Sequence, residues 1–398
     1  EFLTGAQTSN FVAAANMAAL FKTSFKNLKL SVKNVGYSLR YVSSPLTPNV
    51  QNYSAIPLWS NKVNNFGYLR VFSGNFAVHL TGSSARDRRD GEQSTIGVSL
   101  VSDSKDLSGE DLQVIKECVS CDTSSKNDGM SHVLIEAGRN STLQKLKPTL
   151  LDKLKLLIQL PYSYDLYLNN ATESEVTVEK LECNNIEIHS ESNCLLSQLK
   201  SRLITVNSNS GGIISESLIG DLALTSGKDG SIRLAKVQGT DVKINCESGD
   251  VNIISLYGGN VLVNTQHGNV IIGDAHGNVE VTSTTGDIKC GSILGMLRAV
   301  TEVGNIETKL TLGGNIDATS YNGNATIKLD SDLSCKLDLS SQTTNISSDL
   351  DIYEKSATIA DGLTTLTGQT KGDGEQHVQV KCHKGTINLL RESWFVMP

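Results

Sequence analysis

The sequence predicts an all-β protein whose larger part is a β-solenoid, a flattened parallel β-helix with two strands of nine to ten residues per rung. Three observations predict it. Twelve glycines, at 220, 230, 239, 249, 259, 268, 277, 286, 295, 304, 314 and 323, are spaced nine or ten apart, and Asp or Asn follows in nine of the twelve cases. After each glycine two apolar positions alternate with polar ones, as in Val251/Ile253, Val261/Val263, Val270/Ile272 and Val279/Val281. Aromatic residues make up only 5% of the chain against 34 glycines, a pairing that suits a thin, regularly stacked core.

Each element of that fold follows from residue chemistry. Glycine tolerates positive φ, and Asn or Asp tolerates it better than most residues and bonds local backbone, so Gly-Asx marks a corner. The period-two alternation between corners is strand patterning. A nine-residue unit leaves no room for a hairpin or a helical crossover, so strands coil, and two units make a rung of 18–20 residues. The alternation extends backwards through LITVN (203–207), NIEIHS (185–190) and EVTVEK (175–180). That gives about eight rungs from 176 to 329, or about 40 Å at ~4.8 Å per rung. The stretch from KLDLSSQ to HVQVKCHKGTINLL continues or caps the coil, with Trp394 and Phe395 expected over its open end.

The chain divides into three regions: 1–55, a transit-like N-terminal segment; 56–165, β-rich; and 166–398, the solenoid with its cap. Residues 2–86 hold eight Lys or Arg and no acid. With Glu1 the first 86 residues carry +7, so the remainder of a chain of net charge −7 carries −14. So acidic a body is poorly suited to phosphate contacts, which argues against nucleic acid as a partner. On a helix over 11–34, Met17, Phe21, Phe25, Leu28 and Val32 form an apolar stripe beside Lys22, Lys26, Lys29 and Lys33. A basic, acid-free amphipathic helix followed by Ser-rich sequence predicts a mitochondrial transit segment, with Arg40-Tyr41-Val42-Ser43 as a processing site. The alternative is an ordinary helix docked on the domain. No run of about eighteen apolar residues exists to span a membrane.

Within 56–165, GYLRVF, NFAVHL, TIGVSLV and SHVLIEA alternate like strands, and SARDRRDGEQ reads as a loop. Ser108-Gly-Glu-Asp before LQVIKEC opens either a short capped helix or a strand. LDKLKLLIQLPYSYDLYL reads as strand, Pro turn, strand. The eight cysteines are scattered in a long chain, which favours thiols over a disulfide framework. Cys118 and Cys121 form the one CxxC; without a second pair, and with Cys382-His383 distant, a zinc site is not expected. Sequons at Asn140, Asn170, Asn324 and Asn345 matter only in a secreted protein.

If alternate units share a face, one face shows Ala223, Lys243, Leu262, Glu280, Arg298 and Asp317, and the other Arg233, Asn252, Ile271, Lys289, Glu307 and Thr326. Glu280, Arg298 and Asp317 form an alternating-charge ladder. Neither face has the Thr row of an ice-binding surface. A sugar-binding platform needs exposed rings, and 211–330 holds only Tyr257 and Tyr321. The acids are too dispersed for a lyase-like cleft. The GGN triplets do not make the nonapeptide pattern that binds calcium. His267 and His276 sit at successive corners on opposite sides, which separates them as metal ligands.

The stretch GDVNIISLYGGNVLVNTQHGNVIIGDAHGNVEVTSTTGDIKC, with its lead-in IQLPYSYDLYLNN, resembles the putative-adhesin β-solenoid domain family of bacteria over about 155–390. This domain after a transit-like N-terminus is similar in layout to an animal "family with sequence similarity" member. The resemblance implies the solenoid fold and supplies no catalytic, cofactor-binding or metal residues to carry over. The expectation is therefore a non-enzymatic scaffold or protein-binding module in mitochondria. The alternatives are a secreted or surface adhesin and, third, a solenoid enzyme acting on a polymer.

Overall fold

The structure is a computed structural model that describes residues 55–83, 94–102, 107–125, 130–138, 146, 153–330, 333–370 and 374–392. The predicted helix over 11–34, the processing site at 40–43, the loop SARDRRDGEQ, and Trp394 and Phe395 lie outside them. Twenty-three strands join in a single hydrogen-bonded sheet with one helix among the described residues. That helix is neither long nor apolar enough to cross a membrane.

The centre is the predicted solenoid. Eight strands each make a whole rung: β9 (Val176–Ser190), β10 (Cys194–Ser208), β11 (Ile213–Ser226), β12 (Ile232–Ser248), β13 (Val251–His267), β14 (Val270–Thr285), β15 (Ile288–Val303) and β16 (Ile306–Asn322). Each is long because the chain bends through the corner at its midpoint while its hydrogen bonds continue. The parallel register advances one rung at a time, as in Val251 to Val270, Val270 to Ile288 and Ile288 to Ile306. Both predicted outward columns are reproduced: Ala223, Lys243, Leu262, Glu280, Arg298 and Asp317 stack in register on a first face, and Arg233, Asn252, Ile271, Lys289, Glu307 and Thr326 on a second.

The corners work differently from the expectation. Positive φ falls on glycine, at Gly249 (143°), Gly268 (144°), Gly286 (147°) and Gly304 (157°). The Asx that follows bonds the next rung, not its own backbone: Asp250 Oδ1 accepts from Asn269 N at 2.8 Å, Asn269 from Asp287 N at 2.9 Å, Asp287 from Asn305 N at 2.7 Å and Asn305 from Asn324 N at 3.0 Å. A buried hydroxyl column lines the same edge. Thr301 Oγ1 and Ser320 Oγ donate to the carbonyls of Gly286 and Gly304 at 3.1 and 2.8 Å. At these two corners a larger apolar chain in place of Thr301 or Ser320 would remove the hydroxyl that pairs with the glycine carbonyl.

The interior is a single stack of aliphatics. Each rung adds inward residues such as Val251, Ile253, Leu256, Val261 and Val263, all at most 3% exposed. At roughly 1.5–3 kcal/mol per buried aliphatic side chain, this stack is the main stabilising term.

Both ends are threaded out of order. At the N-terminal end β2 (Gly67–Ser73) lies between β6 (Ser131–Ala137) and β8 (Tyr164–Asn170), parallel to each. Likewise β3 (Ala77–Ser83) lies between β7 (Leu154–Pro161) and β9. Residues 67–83, 131–137 and 154–161, weak as repeats in the sequence, are thus in rungs of the same coil. β4 (Ser94–Ser102) and β5 (Val119–Ser125) close this end as antiparallel strands, with β1 (Ala55–Val63) beyond β4. The helix α1 (Gly109–Cys118) connects them and settles the ambiguity at Ser108: Ser108 Oγ accepts from Asp111 N while the Asp111 carboxylate accepts from Ser108 N.

At the C-terminal end β22 (Gln376–Lys384) and β23 (Thr386–Glu392) fill the rung between β16/β17 (Ala325–Asp330) and β18/β19 (Cys335–Ser341, Thr343–Ile346). The antiparallel pair β20 (Tyr353–Ala360) and β21 (Leu363–Gln369) then lies against β18. Antiparallel strands stop a parallel stack because their hydrogen-bonding rows no longer match a further rung.

Surface charges follow the columns. Arg298 lies 3.6 Å from Glu280 and 3.9 Å from Asp317, all half-exposed. Arg298→Ala is expected to cost less than about 1 kcal/mol in denaturant unfolding, because exposed ion pairs contribute little. On the second face Glu307 is held by Lys289 (2.9 Å) and Lys328 (2.6 Å). Partial burial alone would raise its carboxyl pKa; the two lysine hydrogen bonds outweigh that and hold it below the usual range.

Candidate functional site: an aromatic and amide platform

The period-two rule dictates which side chains the early rungs present. β2 turns Tyr68, Arg70 and Phe72 outward, β8 Asp165, Tyr167 and Asn169, β9 Glu187 and His189, and β10 Thr205 and Asn207. Parallel register stacks them on the first face. One column runs Arg70, Tyr167, Glu187, Thr205; the next runs Phe72, Asn169, His189, Asn207.

Rings gather where these columns meet. Phe72 and Tyr167 have centroids 5.7 Å apart, as do Tyr167 and His189. The Arg70 guanidinium lies 5.2 Å from the Tyr68 ring centroid, a cation–π contact. The His189 imidazole is fixed from both sides: Asn207 Nδ2 donates to Nδ1 at 3.4 Å, and Nε2 donates to Glu187 Oε1 at 2.8 Å. Beside it opens a hollow of about 270 Å³ lined by Tyr167, Asn169, Asn170, His189, Ser190, Glu191, Asn207 and Asn209. Its floor is built: Asn170 is 1% exposed, and its amide donates to the carbonyls of Ser174 (2.5 Å) and Thr172 (3.3 Å). Its rim is tied where Asn209 Nδ2 donates to Glu191 Oε1 at 2.6 Å. The Asn169 carboxamide and the Tyr167 hydroxyl make no hydrogen bond to another described residue, so both are available to a ligand.

Beyond Asn207 the column continues through Thr225, Asn245, Asn264 and Thr282, uncharged throughout. Asn264 Nδ2 donates to Asn245 Oδ1 at 3.1 Å, one amide relaying to the next rung. Chemically this surface offers paired donors and acceptors at rung spacing, rings at one end and carboxylates at the margin. That is recognition chemistry.

The residues weighed from sequence lie elsewhere. His267 bonds Thr285 Oγ1 at 2.6 Å, and His276 stacks on Tyr257 at 4.8 Å, at different corners. Cys382 points into the core while its neighbour His383 lies outside against Tyr321, ring centroids 4.7 Å apart. Cys118 is buried at the end of α1 and Cys121 half-buried in β5. Among the described residues no group of three His, Cys, Asp or Glu is placed to hold a metal ion. Burial pushes three of the thiols up, Cys121 to about 11 and Cys194 and Cys290 to about 12, so these three are protonated at neutral pH and poor nucleophiles. Cys194 and Cys290 are expected to resist iodoacetamide at pH 8 in the native protein and to label fully in guanidinium, read by peptide mass spectrometry.

Residues 211–330 are poor in rings, as the sequence shows, and the platform's rings all lie earlier in the chain. Their signal was present: Tyr68, Phe72, Tyr167 and His189 all occupy the polar phase of an alternating strand. Their juxtaposition was not, since β2 reaches β8 only by threading.

Solved structures similar to this chain include the following three. One is described as a putative adhesin from Bacteroides fragilis: 15% identity, 69% of this chain and 97% of that one, TM-score 0.29. Another is described as a putative cell adhesion protein from Clostridium sporogenes: 10%, 85% and 100%, TM-score 0.16. The third is described as a putative lipid binding protein from Parabacteroides distasonis: 12%, 84% and 97%, TM-score 0.29. The Toastrack DUF4097 family model matches residues 119–255 and 213–390, which overlap to cover well over half of the sequence, and the chain belongs to that family.

Proposed function

We propose that this solenoid is a non-enzymatic binding module that engages a macromolecular partner along its first face, at the N-terminal platform. One observation carries the reading: a single face changes character along its length. Around Arg298 its outward groups are ion-paired to one another, whereas around Tyr167 rings and amides are left with capacity to spare. A rigid β scaffold fixes such groups at low entropic cost, which is what binding needs. The test is site-selective photo-crosslinking with benzoylphenylalanine placed at Asn207 or at Asp317. Adducts are expected from position 207; equal yields from both, or none from 207, would sink the reading.

For compartment we propose the mitochondrial reading of the basic N-terminal segment. It is supported by the distribution of cysteines, Cys194, Cys246, Cys290 and Cys382 being separate buried thiols and not bridges. The surface-adhesin alternative is favoured by two exposed sequon asparagines, Asn324 and Asn345, while Asn170 is buried. Mass spectrometry of the mature N-terminus and of glycans distinguishes them. A start near Ser43 supports the first; glycans on 324 or 345 support the second.

A further inference from the structure

We propose that the hollow beside His189 takes a neutral, hydroxyl-rich saccharide chain laid along the solenoid axis. This rests on the binding reading of the first face and names its ligand class.

Four features of the site point the same way. The first is the chemistry of the free groups. A carboxamide presents a donor and an acceptor side by side, the pattern that two neighbouring sugar hydroxyls complement, and Asn169 has both unused. The second is the ring series. Tyr167 is flanked by Phe72 and His189, so its orientation is set before a ligand arrives, and a half-exposed ring offers its face to the C–H side of a pyranose. The third is charge. Glu187 and Glu191 at the margin outnumber Arg70, whose guanidinium is engaged with Tyr68, and they stand within a strongly acidic body, which disfavours carboxylated or sulfated polymers and leaves uncharged ones unaffected. The fourth is shape. The hollow is half-open and leads into the uncharged column through Thr225 and Asn245, rungs about 4.8 Å apart, which suits a linear polymer better than a compact molecule.

Hydrogen bonds and stacking at a shallow polar site give modest affinity, so removing any one of these groups weakens binding measurably. The probes are neutral hexasaccharides (cello-, chito- and manno-oligosaccharides), with polygalacturonate as the anionic comparison, titrated by calorimetry and by saturation-transfer NMR into the full chain. Saturable binding of a neutral hexasaccharide is expected, weakened about tenfold or more by Asn169→Ala and by Tyr167→Ala. Arg298→Ala is expected to leave it unchanged. Tyr167→Phe keeps the ring and removes the hydroxyl, so the proposal stays testable if Tyr167→Ala unfolds the rung. Absence of neutral binding, binding indifferent to Asn169 and Tyr167, or equal binding of polygalacturonate overturns the proposal. If position 207 still cross-links a partner while no neutral saccharide binds, the saccharide class fails and the binding reading stands. If both fail, the reading falls with it.

Discussion

Gly286→Val is expected to lower the stability of the solenoid by about 3–5 kcal/mol. Two causes add. A Cβ on Gly286 would meet the Gly268 carbonyl oxygen at 2.0 Å, and the residue sits at φ 147°, which an L side chain disfavours. Relief by local shift is blocked because the clash repeats up the column: Gly304 sits over Gly286 and Gly323 over Gly304, each with the same 2.0 Å approach. Moving one corner displaces the next. Gly109, at the start of α1, has open space for 4 Å around the place a Cβ would occupy and provides the control. Gly109→Ala should be neutral or slightly stabilising, since Ala is the better helix former. Urea unfolding of both variants decides it; a loss under about 1 kcal/mol at Gly286 would mean that the corner is far more plastic than its stacking implies.

Ending the chain after residue 375 should be the more damaging change. It removes β22 and β23, whose Val378, Val380, Ile387 and Leu389 are at most 1% exposed in the rung between β16/β17 and β18/β19. Losing four such aliphatics forfeits roughly 6–12 kcal/mol of burial, an upper bound because the unfolded chain already hides some surface. The loss should stay local, because a solenoid rung contacts only its neighbours. Hydrogen exchange is therefore expected to show β18–β21 unprotected and β16–β17 weakened, while β9–β13 keep their protection. Full protection of β18–β21 in the truncated chain would show that the end cap stands without the threaded rung.

The central rungs were legible because their chemistry repeats locally. The Gly at each corner, the Asx after it and the Val/Ile pair before the next corner recur at fixed intervals, so both outward columns could be read off residue by residue. The first rungs were fainter for a specific reason. Ser201 occupies the corner on which Gly220 and then Gly239 stack one and two rungs later, so the glycine marker is missing there though the coil persists. The hydroxyls of Thr301 and Ser320 lie in the inward phase of their strands, and their role became visible only with the glycine carbonyls they face.

The candidate site divides along the same line. Alternation alone put Tyr68, Phe72, Tyr167, Asn169, His189 and Asn207 on outward positions. What sequence determined was therefore the period, the corners, the inward aliphatics and the phase of every strand, all set by interactions within about nine residues. What only the tertiary structure decided was the order of rungs at the two ends and, with it, which outward residues meet. β2 and β22 join the coil through hydrogen bonds to strands distant in the chain, and backbone hydrogen bonds between parallel strands carry no side-chain signature of their partner. The platform is made by that threading.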